Sequence, residues 1–307
     1  MRVLLIFLDG VGLGADDIVH NPFRTATLPT LHSLTNGQRW LDSTGIQRTD
    51  RALFIPTDAT MGVAGRPQSG TGQAAIITGE NVPERIGEHY GPKPNEKTRA
   101  ILHESNLFSD VINAGKTAAI LEAYPPGWHH VIESGRRLPA SYQMAAKVAG
   151  LRFFGEADLR SGRALSGDWT GAGWQTELGY DDMPTLSAYD AGVRLAALAG
   201  DYDFAFFPHW ITDVTGHRGD LAQAIKLLET FDDVMRGVLD TWDDAEGVVI
   251  VTSDHGNIED LSHRNHTKNS VPTVIIGAKR EQFSGVHDLT HIAPVIRNLL
   301  LSVPGAE

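Results

Sequence analysis

The chain has 307 residues and carries 38 acidic against 26 basic side chains, a formal charge of -12. A protein this acidic is not a general nucleic-acid binder, because phosphate backbones select basic surfaces; a small anionic substrate is still admissible, since bound dications reverse the local potential. Hydrophobic residues make up 41% and charged residues 21%, the balance of a globular protein rather than a disordered one, and cysteine is absent, so disulfides and thiolate metal ligands are excluded and any metal must sit on Asp, Glu, His, hydroxyls, backbone or water.

In chain order, the apolar run Val3–Leu8 reads as a buried strand of a parallel sheet that delivers Asp9 at its carboxyl end, ahead of Gly10, Gly12 and Gly14. The run is too short for a signal segment, and no stretch is long enough to span a bilayer, so a cytoplasmic protein without a membrane partner is expected. Residues 15–55 look irregular apart from a short helical stretch near Leu28–Leu34, and residues 57–72 look like a loop rich in Gly and Thr. Helices are predicted over Gln73–Thr78, Asn95–His103 and Leu107–Ala114, and a strand over Lys116–Leu121. Residues 124–184 differ in character: they hold Trp128, Tyr142, Trp169 and Trp174 among many glycines and lack strand–helix alternation, so they are predicted to form an inserted cap on a domain made of residues 1–123 and 185–307. Alternation then resumes, with helices over Ser187–Ala199, Leu221–Trp242 and Thr290–Leu301 and strands over Phe204–Pro208, Gly247–Thr252 and Pro272–Gly277. The rhythm predicts an α/β fold with a mainly parallel sheet sandwiched by helices.

Acidic and imidazole side chains stand just after the predicted strands: Asp9, then Asp213 and His217, then Asp254 and His255, with His263 and His266 ahead of the last strand. Singly, each has an ordinary explanation, an Asp as a helix cap or a His as a hydrogen-bonded surface residue. Jointly, at strand ends that converge on one side of a parallel sheet, they match the mixed nitrogen and oxygen donors of a two-metal hydrolytic site. Ser69 and Thr71 lie in a small-residue segment ahead of a predicted helix, where a hydroxyl is either an N-cap or a group placed in a field that favours anions.

The chain resembles the alkaline phosphatase superfamily, and within it the metalloenzyme branch that contains cofactor-independent phosphoglycerate mutase and phosphopentomutase. The residues that carry the resemblance are LDGVG at 8–12, QSGTGQ at 68–73 with ITGEN at 77–81, TDVTGH at 212–217, SDHGN at 253–257 and NHTKNSVP at 265–272. It implies an alkaline phosphatase-like fold and two divalent metal ions, manganese favoured over zinc. One would be held by Asp9, Asp254 and His255 together with the nucleophile oxygen, the other by Asp213, His217 and His266. Ser69 matches the family nucleophile because it stands ten residues before Gly79; Thr71 is the alternative. The resemblance departs from the mutases in two respects: their large inserted domain is replaced by residues 124–184, and the residues after Ser69 are not those of the mutase motif. The implied activity is therefore a phosphoester hydrolase working through a phosphoseryl intermediate on a small phosphorylated substrate. A phosphomutase is the alternative, with Arg136, Arg137, Lys147, Arg152, Arg160 and Arg163 as possible anion contacts in the cap, and a non-catalytic metal-binding relative is the third reading.

Overall fold

The computed structural model describes residues 1–302. Seven strands form one sheet: β1 (Arg2–Leu8), β2 (Gln47–Arg48), β3 (Ala52–Thr57), β4 (Ala118–Ile120), β5 (Phe204–His209), β6 (Gly247–Ser253) and β7 (Val271–Ile276), in the order β2-β3-β7-β6-β1-β5-β4. The pairs β6–β1, β1–β5 and β5–β4 are parallel, and β7 runs against both of its neighbours, β6 and β3. Since β3 opposes β7, it points the same way as β1 and β6, so only β7 and the two-residue edge strand β2 run backwards. The sheet is mixed, with its parallel part in the centre where the apolar runs are continuous.

Strands β1, β5 and β6 are buried on both faces, as uninterrupted Val, Ile, Leu and Phe require. One hydrophobic cluster packs the helices Ala188–Ala199 and Leu221–Thr241 on one face, and a second packs Ser69–Thr78 and Ile292–Leu301 on the other. Among the described residues no helix is long and apolar enough to cross a membrane.

Two expectations need correction. Strand β3 begins inside residues 15–55, read as irregular, and runs on to Thr57. The helix predicted from Gln73 begins at Ser69, because Gly70 and Gly72 are needed there: a β-carbon on Gly70 would lie 2.5 Å from the Tyr90 carbonyl oxygen and one on Gly72 2.8 Å from that of Asp254. Close packing overrides the low helix propensity of glycine. Residues 124–184 supply no strand to the sheet and contribute side chains to both hydrophobic clusters. They send Tyr142 and Ala145 into one cluster and Trp169 and Trp174 into the other, and Ser141 Oγ donates to the Gly70 carbonyl at 2.6 Å.

Candidate metal centre

Three adjacent central strands deliver the site. Asp9 follows β1, Asp254 and His255 follow β6, and β5 leads through Trp210 into the helix Ile211–Arg218, which carries Asp213 and His217 on successive turns. The backbone then brings His266 back from the loop before β7. Asp9, Asp254 and His255 offer one ligand atom each within 4.8 Å of one another, and Asp213, His217 and His266 do the same. The two groups abut: the rings of His255 and His266 stack with centroids 3.7 Å apart. His263, by contrast, stays outside with Asp260, at 3.5 Å.

The residues around these groups orient them. Each imidazole has Nδ1 at a backbone carbonyl: His266 at Pro67 (2.9 Å), His217 at Arg264 (2.7 Å) and His255 at Gly256 (3.3 Å). A carbonyl only accepts, so Nδ1 carries the proton and Nε2 presents its lone pair to the site, the arrangement a metal-binding imidazole needs. Asn257 Nδ2 donates to Asp213 Oδ1 at 2.7 Å, and Gln73 Nε2 donates to Asp9 Oδ2 at 3.2 Å. Buried Glu259 accepts from the amides of Gly12 (3.0 Å) and Asn257 (2.7 Å), from Thr267 Oγ1 and from Asn269 Nδ2 (3.1 Å). One carboxylate thus ties together the segments that follow β1, follow β6 and precede β7.

Several features fit cations here. Asp9 Oδ1 and Asp254 Oδ2 are buried without a hydrogen-bond partner, a costly condition for carboxylate oxygens. Nε2 of His266 and Nε2 of His217 face each other at 3.3 Å as two lone pairs. Burial, then Asp254 and Asp213, push the Asp9 carboxyl well above the usual carboxylate range. Burial and then Asp213 push Asp254 up to about 7. Burial holds His255 down to about 4, and burial with His255 beside it holds His266 down to about 4. Crowded carboxylates and neutral imidazoles make a donor set that positive charge relieves.

Ser69, the first residue of its helix, has Oγ 3.0 Å from His255 Nε2. Thr71 points elsewhere, its hydroxyl donating to the Gln68 carbonyl (3.2 Å) and accepting from the Tyr90 amide (3.2 Å). The Thr71 amide is also taken, by the Tyr90 carbonyl at 3.0 Å. A cleft lined by Arg66, Gln68, His89 and Tyr90 opens beside this segment.

Of the cations in residues 124–184, Arg152 and Arg163 pair with Asp158, and Arg160 with Glu156 and Asp182, so these three are engaged within that segment. Arg137 instead lies close enough to Lys93 to help burial depress the Lys93 ammonium, against the opposing pull of Asp9. Sequence reasoning missed Lys93, Gln73, Asn257 and Glu259. Gln73 and Asn257 stand inside the motifs quoted above, which was the available signal; nothing local marks Lys93.

Residues 178–303 match the model of the Metalloenzyme superfamily. The 2,3-bisphosphoglycerate-independent phosphoglycerate mutase of Methylobacillus flagellatus is 36% identical over 107 residues, 32% of this chain and 21% of that protein. The enzyme of the same name from Roseobacter denitrificans is 33% identical over 129 residues, 39% of this chain and 26% of that protein. The matched stretch thus spans about a quarter of the length of such relatives. In fold, the chain is similar to the alkaline phosphatase of the Antarctic bacterium TAB5, with a TM-score of 0.55 and 14% identity over 97% of this chain and 98% of that one. It is also similar to the cold-active alkaline phosphatase of Shewanella sp., with a TM-score of 0.52 and 12% identity over 98% of this chain and 100% of that one. The match over residues 178–303 and the quoted motifs go together with a fold similar to that of these alkaline phosphatases, a helix-flanked α/β sheet.

Proposed function

We propose that the protein is a two-metal phosphoryl-transfer enzyme acting on a small phosphorylated substrate, with Ser69 as nucleophile. The observation that carries this reading is the meeting of two Asp/His triads with a buried serine hydroxyl at the carboxyl ends of β1, β5 and β6. Asp9, Asp254 and His255 would hold one divalent ion, and Asp213, His217 and His266 the other. Three carboxylates and three imidazoles without a thiolate suit manganese or zinc. When bound, the ions supply charge that stabilises the phosphoryl oxygens and the attacking alkoxide.

The protein's own groups do the rest. Ser69 Oγ, 3.0 Å from His255 Nε2, stands beside the first metal position; it attacks phosphorus in line to form a phosphoserine, the phosphorus–oxygen bond to the substrate breaks, the hydroxyl proton passes to solvent, and the departing oxygen takes up a proton. Lys93, whose ammonium the Asp9 carboxylate favours against burial and Arg137, would balance the added negative charge. Thr71, engaged with Gln68 and Tyr90, serves the loop rather than the reaction. For the fate of the phosphoserine, return to the substrate is better supported than hydrolysis: the curated relatives are mutases, and residues 124–184, which we read as the inserted cap, are fastened to the nucleophile helix through Ser141. A fastened cap keeps water from the intermediate.

The test is acid trapping of the manganese- or zinc-loaded protein with a panel of phosphomonoesters and sugar phosphates, with the adduct mapped by mass spectrometry. Phosphorus NMR of the same mixtures distinguishes positional transfer from release of phosphate. We expect the adduct on Ser69, and Ser69→Ala to lower turnover by roughly a thousandfold or more. An adduct on Thr71, or full activity in Ser69→Ala, overturns the assignment. Metal uptake with neither adduct nor turnover on any ester points to a metal-binding protein without this chemistry.

A further inference from the structure

We infer that Trp210 is a substrate contact, an indole held at the rim of the metal centre to stack on a ring carried by the phosphorylated substrate. The inference rests on the phosphoryl-transfer reading and adds the substrate class: a monoester of a ring-bearing molecule, a sugar or a nucleoside, rather than of a short open chain.

Position is the first part of the argument. His209, the last residue of β5, is in register with Leu8, and the Asp9 amide donates to its carbonyl at 3.0 Å. Trp210 therefore leaves the sheet beside Asp9, three residues before Asp213. Thr212 Oγ1 donates to the Asp9 carbonyl at 2.5 Å and fixes this corner. The indole turns away from β1, and its Nε1–H donates to Glu122 Oε1 at 2.8 Å, just past the end of β4. Neighbouring strands lie about 4.8 Å apart. The ring thus spans the ends of β5 and β4, about one to two strand spacings from Asp9, and on this inference the remainder of the substrate lies against it.

Rigidity is the second part. Glu122 is only 3% exposed, so water does not compete for its bond to the indole. Gly167 packs against that bond: a β-carbon there would lie 2.5 Å from Glu122 Oε1 and 3.0 Å from Trp210 Nε1. The Gly167 carbonyl accepts from His209 Nδ1 at 2.9 Å. Two residues on, buried Trp169 has φ +68° and stacks on Phe207 and His209 at 4.4 and 4.8 Å. An aromatic residue in the left-handed region persists only where its surroundings over-determine it, and here they brace the floor behind Trp210. Yet Trp210 itself is 42% exposed. Isolated exposed apolar side chains are ordinary, as Ile18, Val19 and Ile46 are here. Trp210 differs in having its polar edge anchored to a buried carboxylate at the site while its ring stays open. A fixed aromatic face favours flat or ring-shaped partners, to which it offers contact at little entropic cost. A three-carbon phosphoester has no such face.

The experiment uses the full chain loaded with manganese, with metal content measured for every variant. Substrate loss is followed by phosphorus NMR for a hexopyranose phosphate, a nucleoside monophosphate and glycerol phosphate. Trp210→Ala should lower the ratio of kcat/KM for the ring-bearing ester to that for glycerol phosphate by roughly ten- to a hundredfold, mainly through KM. Trp210→Phe, which keeps a ring, should lose less. Glu122→Ala should lower the ratio as well, and Glu122→Gln, whose amide oxygen still accepts from the indole, should restore it. A fall confined to the sugar ester or to the nucleotide supports the inference and names the ring. A ratio that moves by less than about threefold in both Trp210 variants, or a wild-type preference for glycerol phosphate over both ring esters, overturns it. No turnover of any ester with both metals bound overturns the phosphoryl-transfer reading itself.

Discussion

Glu122 is a carboxyl in a place that disfavours its charge. It is buried, it accepts from Trp210, and its Oε2 has no partner. Burial pushes it up to about 7, against a usual value near 4.3 for a glutamate. The folded protein therefore holds a proton there that the unfolded chain has already lost. Through the window from about 4.5 to about 7 the unfolded state binds fewer protons, so stability falls as pH rises and the full penalty is present above 7. Glu122→Gln removes the ionisation while keeping the acceptor. We expect its stability relative to wild type to increase from pH 5 to pH 8 by about 2–3 kcal/mol, read from urea melts at the two pH values. A difference independent of pH would mean that Glu122 does not titrate in this range. Such a group is invisible in the sequence, where Leu-Glu-Ala-Tyr reads as the solvated end of a strand. The metal-ligand candidates were legible because they are polar residues at the ends of apolar runs. Glu122 and Lys93 were not, because Trp210, Gly167, Arg137 and Asp9 reach them from segments 40 or more residues away, and Glu259 was not, because it is buried and the Gly12 amide comes to it from the far end of the chain.

At the scale of elements, what was legible followed burial. Strands β1, β5 and β6 are continuous apolar runs and read as strands at once. Strand β3 did not, since Pro56 interrupts it. In the fold Pro56 sits opposite Pro272 of β7, so two residues that cannot donate to a ladder share one register position instead of spoiling two. The helices Ala188–Ala199 and Leu221–Thr241 showed their apolar stripes, but not how closely they approach. That distance is set by glycine. A β-carbon on Gly192 would lie 1.9 Å from the Val234 carbonyl oxygen, and one on Gly237 would lie 2.1 Å from that of Tyr189. Backbone meets backbone at both places, so no side chain can turn aside. Gly192→Ala gains up to about 1 kcal/mol of helix propensity but forces two core helices apart, and overpacking costs about 1–3 kcal/mol or more. With atoms this close the clash dominates, and we expect a net loss of about 2 kcal/mol. Gly127, in the helix Pro126–Glu133, has nothing within 4 Å of such an atom, so Gly127→Ala should be neutral or slightly stabilising. Chemical denaturation of the pair checks this: equal effects would mean that propensity rather than packing governs both positions.

For the molecule as a whole, the proposed metal centre draws on segments from residue 9 to residue 266 and joins the ends of three central strands to the loop before β7. Ions that bind only this assembled arrangement stabilise the whole fold by mass action, about 4 kcal/mol per site at a free concentration a thousandfold above Kd. For a domain of this size, that is on the order of 5 °C in Tm per site. Without ions, the same donors oppose folding, since Asp9, Asp213 and Asp254 repel one another across a buried space. Asp254→Asn separates the two effects. It removes one buried charge while keeping an oxygen that can accept from the Gly10 amide, as Asp254 does at 3.4 Å. In chelator, this variant should melt at or above the wild-type temperature. With manganese or zinc added, the wild type should gain several degrees and the variant much less, because the first triad has lost an anionic ligand. Thermal melts of both proteins, with chelator and then with excess metal, decide the matter. A wild-type Tm indifferent to chelator and metal alike would show that the paired triads are not a metal centre, and the carboxylates would need another source of compensation.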